Sequence, residues 1–529
     1  MLMRFITMSM LMLLSFGCQC PSKENKASIV RLNIKEEPQS LDPRRVRALS
    51  SLTLVNMLFD GLMRIGKEGK SEFAVAESVN ISSDLKTYTF RLKKTFWTHG
   101  DPVKPSDFAY AWKKRLSPDF PSDTAEALYV IRNAKAAKEG RVSLDEVGIR
   151  VQGERELVVE LEKPTSYFLD LVAHPSWAPI SERVDEENPS WMFNAESYVC
   201  NGPFYLSSWK HQEQLILNKN PTYWDAESVH LSSLQFQMLA EETELKMFEN
   251  KELDWAGSPL STLPLDALKE LKYSGALKTK TGLGTDFIRV NVEVPPLSHV
   301  ALRRALGLSM NRQELVEHVM QGGQLAATGL VPSCLELQKS AYFEDANTEE
   351  AKRLFEKALS ELKLTRETFP ELTYLYRSSE RNHLVAQAIQ QQWEKSLGIR
   401  VKLEAVEGKV FFSRISKQDY QLAYGNWFGD FSDPINFLEV FKSGRGGSNN
   451  THWENSRYAE LLTLSSELAA GKERQALLGE AEKILIEEMP IIPISYMSMV
   501  YVTQPYLKDV VLSSMGQIDF KWASIEKIK

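Results

Sequence analysis

The spacing of apolar residues changes period many times along the chain. Ile29 to Ile34 and Leu215 to Asn218 are short apolar runs, while Thr87 to Leu92 and Glu156 to Glu162 alternate apolar with polar positions. All four predict strands, the alternating ones half-buried. Elsewhere the period lengthens to that of a helix. Leu52, Val55, Leu58 and Phe59 share one helical face, and Asp60-Gly61 closes it. Ser106 is placed to cap a helix over 107–115. A helix over 301–320 is predicted with Arg303, Arg304 and Arg312 on its polar face. Asn347 and Glu350 form a capping box for a helix reaching Leu362. Helices over 384–397, ending at Gly398, and over 473–489 each lead into a strand, 399–403 and 491–502. Strands and helices alternate throughout, so the expected class is α/β. No internal repeat or low-complexity tract interrupts the pattern.

One stretch departs from ordinary patterning, Tyr424-Gly-Asn-Trp-Phe-Gly-Asp-Phe-Ser-Asp-Pro434. It predicts a strand over 423–428 that opens into a loop. Its glycines allow close approach of another backbone. Asp430 follows Gly429 and stands among aromatic residues. A carboxylate in such surroundings needs a cation or several donors, and the ammonium of a free peptide is one such cation. An open strand could also pair with an extended peptide. The plainer reading, a loop Asp that caps a helix beginning at Asp433-Pro434, suits Asp433 better than Asp430.

A chain of 529 residues exceeds what one core sustains, so two or three domains are expected. A net charge of −7 argues against nucleic acid as a general partner. The aromatic content (Trp 11, Tyr 17, Phe 24) fits large cores or an aromatic cleft. Arg4 precedes an apolar run from Phe5 to Phe16, too short to span a bilayer but suited to a signal segment. Leu14-Ser15-Phe16-Gly17-Cys18 is similar to the lipobox of bacterial lipoproteins, with Ser15 where Leu is usual. The expectation is therefore a signal peptide over 1–17, lipidation at Cys18 and a polar tether over 18–26. Cys200 and Cys334 are the two other cysteines apart from Cys18 and Cys20. They show no metal spacing, and two unpaired buried thiols are expected.

Catalytic signatures are missing. There is no H-E-x-x-H, G-x-S-x-G or phosphate-loop motif, and the eight histidines are scattered. Gly444-Arg-Gly-Gly-Ser448 lacks the lysine and the strand–helix setting of a phosphate nest. No cofactor or metal is expected, and the reading is a binding protein rather than an enzyme.

Eight short motifs then occur in a familiar order. They are Gln39-Ser-Leu-Asp-Pro43, Leu58-Phe-Asp-Gly-Leu62, Trp97-x-x-Gly-Asp-Pro-Val103 with Asp107-Phe108, Asn201-Gly-Pro-Phe204, Asn220-Pro-x-Tyr-Trp224, Arg303-Arg-Ala305, Leu397-Gly-Ile399 and Trp427-x-x-Asp430. Together they resemble the oligopeptide-binding proteins of bacterial ABC importers, solute-binding family 5. The resemblance implies a type II periplasmic-binding-protein fold with two hinged lobes and an extra domain. One lobe would comprise 27–59, 177–275 and 497–529, the extra domain 60–176, and the other lobe 276–496. The hinge strands would pass near Gly282 and Ile494, and the lobes would close on an extended peptide.

The resemblance also implies site residues. Asp430 falls on the loop Asp that receives the peptide's ammonium. Leu49 matches the backbone-pairing position of the first lobe, and Asn426 and Phe428 those of the opposite strand, beside Trp427. Arg47 stands where some relatives carry an acidic residue facing a ligand side chain. Tyr424 replaces a basic residue that meets the C-terminus of a short peptide in some relatives; Arg414, Arg377, Asn382 or His383 are candidates for that role. A disulfide of some relatives maps onto Gly284 and Phe428. The implied function is capture of short peptides for an inner-membrane ABC importer by a monomer, anchored outside the cytoplasm. Cell-wall peptides with a γ-linked acidic residue, which Arg47, Arg377 and Arg414 would suit, are the alternative within the family; other members carry nickel chelates, haem or oligosaccharides, but Asp430 argues for an amine-bearing ligand. A peptide hydrolase or a surface adhesin are alternatives outside it.

Overall fold

The computed structural model describes residues 28–46, 48–122, 124–337, 340–444 and 448–526. The expected signal peptide and tether, Cys18, Arg47 and positions 445–447 lie outside the described residues.

Each sheet joins segments distant in sequence. Ile29–Asn33 runs parallel to Ser233–Gln237, which continues antiparallel through Gln214–Lys219 to Phe204–Lys210. A second four-stranded sheet has the order Ala76–Ile81, Thr87–Leu92, Glu156–Glu160, Ile149–Gln152. The alternation read in Thr87–Leu92 appears as buried Tyr88, Phe90 and Leu92 with exposed Arg91.

A seven-stranded sheet carries the architecture. Its longest members, Lys278–Val290 and Ile491–Thr503, have 13 residues each and lie antiparallel. Trp255–Gly257 pairs with one end of Ile491–Thr503, at Tyr501, Val502 and Thr503. Leu422–Phe428 pairs with Gly284 to Val290 at the other end of Lys278–Val290. Leu372–Arg377 and Val401–Val406 extend the sheet outward from there. The register between the two long strands breaks between Thr281 and Thr285. At the break the Leu283 N–H donates to the Ser514 carbonyl (2.7 Å), and the Leu283 carbonyl accepts from Gly429 N–H (2.8 Å).

The helices follow the reading with two corrections. The expected helix over 301–320 is interrupted. Val300–Leu308 ends, and a new start at Asn311, whose side chain accepts from Glu314 N–H, leads through Arg312–Glu314 into Leu315–Met320. Arg303 and Arg312 are buried, not solvated. Arg303 donates to the carbonyls of Leu297, Ser298 and Glu488; Arg312 reaches those of Gly307 and Pro493 as well as Asp345. Backbone carbonyls satisfy the guanidinium donors that water would otherwise take. The second correction is the cap at Ser106. Pro105 opens that helix, so the cap moves to Lys104, whose N–H donates to Asp107. Cys200 is buried and Cys334 half-buried, and both thiols are free.

Apolar packing is concentrated in two large clusters. One spans the first two sheets and takes in Leu283, Phe287 and the buried faces of Ser456–Ser466 and Lys472–Glu488. The other is built from Ile288, Val290, Ile492 and Ile494 with the helices around Leu302, Phe355 and Trp393. Glu482 sits inside the first. Its carboxyl accepts from the N–H groups of Leu330 and Val331 (both 2.7 Å) and from Tyr342 Oη (2.8 Å). Burial pushes its pKa up to about 7, against the pull of these donors. A carboxyl with a raised pKa favours the folded state below its unfolded value, and this advantage is lost as pH climbs from about 4.5 to about 7. The stability lost across that window is ~3 kcal/mol. Denaturant titrations at pH 5 and pH 7.5 should show it, and Glu482→Gln should flatten the difference.

Candidate functional site

The strand Leu422–Phe428 forms as its apolar run demands, and its two edges differ. One edge is fully paired with Lys278–Val290. The other meets Leu372–Arg377 only at Tyr374–Leu422 and Leu375–Ala423. Among the described residues no strand pairs with this outer edge beyond Ala423. Gly425 and Gly429 are needed here for space. A methyl group at Gly425 would lie 2.6 Å from the Phe287 ring, and one at Gly429 2.7 Å from Leu283. Both side chains support the strand from behind.

Asp430 leaves the end of this strand. The residue is exposed at the surface and lines two cavities. The first, about 430 Å³, lies between Val46 and Leu52, the Arg115–His174 region, and Phe431. The second contains Trp427 and Asn436. Tyr167 and Phe431 stack face to face at 4.2 Å and wall both. Arg115 donates to the carbonyls of Ser176 and Thr124. Burial depresses its pKa to about 10 and that of His174 to about 4, leaving a neutral ring. Asp433 behaves as read: it accepts from Ile435 N–H (2.9 Å) at the start of the helix. It also binds Arg474 through two bonds of 2.7 and 2.8 Å, which the sequence did not reveal.

A third cavity, about 310 Å³, opens beside Tyr424. Asp286 lies in it, on the neighbouring strand. Tyr424 Oη donates to Asp286 Oδ1 (2.6 Å) and Ser495 Oγ to Oδ2 (3.2 Å). Asn382 and Arg381 line it from the first turn of Glu380–Leu397.

The structure thus brings together Asp430 and Trp427 at one place, and Tyr424 and Asn382 at another. Asn426 and Phe428 are exposed on the strand between, Phe428 to 44%. Gly284 and Phe428 face each other across the paired strands, as the mapped disulfide requires. Leu49 opens the helix Leu49–Leu58, so its N–H is among the first-turn donors without a partner inside the helix. The remaining described candidates, Arg414, Arg377 and His383, do not themselves line these cavities. Arg414 pairs with Glu404 (3.0 Å) and Asp419 (3.1 Å). Arg377 lies over the Phe412 ring, and His383 bonds Tyr376 Oη (2.6 Å). The reading missed Asp286, although a lone carboxylate inside Leu283 to Val290 is a visible oddity in an apolar strand.

Most of the family motifs turn out to be scaffold. Asp60 accepts from Tyr223 Oη (2.7 Å) and Trp224 Nε1 (2.8 Å) and pairs with Arg64. The Asn201 side chain clasps the Asp60 backbone at both N–H and carbonyl, and Asn220 donates to the Gly202 carbonyl. Trp97 Nε1 donates to Asp107, and Asp42 binds Arg44, which continues to Asp185.

Comparison with known proteins agrees with this geometry. The profile of bacterial extracellular solute-binding proteins, family 5, matches residues 72–449. The oligopeptide-binding protein OppA of Bacillus subtilis (strain 168) is 39% identical over 507 residues, covering 94% of this chain and 93% of that protein. The unliganded open form of the murein tripeptide binding protein MppA superposes with a TM-score of 0.82 at 27% identity, over 95% of this chain and 98% of that one. Haemophilus influenzae OppA in complex with RPPGFSPFR superposes with a TM-score of 0.72 at 26% identity, over 95% and 100%. In sequence and in fold, the chain belongs to family 5 of the bacterial extracellular solute-binding proteins.

Proposed function

We propose that this chain captures short peptides outside the cytoplasmic membrane and delivers them to an ABC importer. The observation that carries the reading is the open edge of Leu422–Phe428, which ends at Asp430. An extended peptide can add to that edge by main-chain bonds, with its ammonium directed to the carboxylate. Leu49 belongs to the opposite wall of the same cleft. Residues 27–59, 177–275 and 497–529 form one lobe, 276–496 the other, and 60–176 the additional domain. The strand break between Thr281 and Thr285 and the crossing near Ile494 supply the hinge. The better superposition on an open, unliganded relative than on a peptide complex supports an open arrangement of the lobes. Cys18 carries the lipid anchor, and the protein acts as a monomer without catalysis or cofactor.

The test is to incubate the protein with a mixture of short peptides, isolate it without denaturation and analyse what it releases by mass spectrometry. Intact peptides at one per chain are expected. Fragments that increase with the amount of protein would overturn the reading in favour of a hydrolase.

A further inference from the structure

Asp286 is buried between three strands, 8% exposed, and among the described residues no Lys, Arg or His lies within ion-pair distance of it. Its two donors are hydroxyls, those of Tyr424 and Ser495. A carboxylate has about four acceptor sites, so each oxygen retains capacity, and the side chain lines the 310 Å³ cavity. Burial pushes its pKa up, opposed by the Tyr424 and Ser495 hydrogen bonds and then by the charge of Arg381. Arg381 is exposed and lines the same cavity. The cavity therefore has an anion in its wall and a cation on the neighbouring helix. Tyr374 and Tyr424 lie among the lining residues and suit a methylene stem.

We propose that this cavity receives a peptide's C-terminal lysine or arginine, with the side-chain cation on Asp286 and the terminal carboxylate on Arg381. The inference rests on the peptide-binding reading and specifies its preference at one end of the ligand. Distance along the strand sets the ligand's length. Tyr424 lies four residues before Phe428, where the strand ends beside Asp430, and at ~3.3 Å per residue that is ~13 Å, the reach of a fourth or fifth peptide residue. A neutral side chain of equal length would leave the Asp286 charge uncompensated. An acidic one would add repulsion.

Calorimetry with Ala-Ala-Ala-Lys, Ala-Ala-Ala-norleucine and Ala-Ala-Ala-lysinamide, and with the matching pentapeptides, tests this. Lysine should bind about tenfold or more tighter than norleucine at one of the two lengths, the scale of a hydrogen bond to a charged group. Asp286→Asn should bring that ratio to within about twofold. Arg381→Gln should remove the preference for the free acid over the amide. Equal affinity of the lysine and norleucine peptides for the unmodified protein at both lengths would overturn this pocket and leave the peptide-binding reading standing. Failure of every peptide to bind would overturn both.

Discussion

Acetylating the amino terminus of a tripeptide should weaken its binding by roughly 30- to 5,000-fold. The range corresponds to the ~2–5 kcal/mol that removal of one partner costs in a charge pair buried within an interface. Asp430 is an exposed residue. It lines the cavity between Val46, Leu52 and Phe431, and closure would bury it there with the ligand's ammonium. Acetylation removes the cation, whereas Asp430→Asn removes the anion and retains the shape. The two changes should therefore not add. Asp430→Asn should lose most of the affinity for the free peptide but bind the acetylated peptide within about threefold of the unmodified protein, because the coupling is already gone. Affinity should also decline as pH rises past about 8, where the ligand's α-amino group loses its proton. Calorimetry on the four combinations measures each of these. Equal affinity for the free and acetylated peptides would remove Asp430 from the ammonium site.

The sequence disclosed this region because its chemistry is local. A glycine, a carboxylate and three aromatic residues within a short stretch constrain one another without help from the rest of the chain. The Asp433 cap was legible for the same reason, since a cap acts on N–H groups one to three residues away. Its bond to Arg474 was not, because no periodicity links positions 433 and 474. Arg303 and Arg312 were misjudged because helical spacing gives the face a residue occupies but not what covers that face. Turn, helix and strand carbonyls from 297, 307, 488 and 493 cover it here. The break after Leu308 did leave a trace: Asn311 followed by Glu314 is a capping pattern inside what reads as one helix. Asp286 was overlooked because its meaning is tertiary. Its donors come from the strands on either side, and the cavity beside it exists only once Glu380–Leu397 has packed against the sheet.

Replacing Arg64 by Met should destabilise the protein by ~3–5 kcal/mol, the usual cost of removing one member of a buried ion pair. Arg64 is 4% exposed and holds two buried carboxylates, Asp60 and Asp519, the latter at 2.8 Å. It also donates to the Asn56 carbonyl at 2.7 Å. The Asp60 carboxyl feels an upward push from burial, but the charges of Arg64 and Lys521 and the bonds from Tyr223 and Trp224 hold its pKa below the ordinary value. Its stabilising contribution is therefore present above the carboxyl's unfolded pKa and is lost as pH falls through the lower folded one. Without Arg64 this balance reverses, and Asp60 becomes a buried charge facing Asp519. Adding Asp60→Asn should then recover part of the loss, since the amide oxygen still accepts from Tyr223 and Trp224 while the like-charge repulsion disappears. The double variant should thus be more stable than Arg64→Met alone, although each single change weakens the protein. Urea midpoints for the four proteins at pH 7 decide the matter. A double variant that unfolds at lower urea than Arg64→Met would mean that Asp60 contributes through shape rather than through charge. The three motif segments that converge on Asp60, its own and those of Asn201 and Tyr223-Trp224, are 164 residues apart at their extremes, from Asp60 to Trp224, before the C-terminal Asp519 is added. These residues answer a demand of folding, distinct from any demand the peptide makes on Asp430.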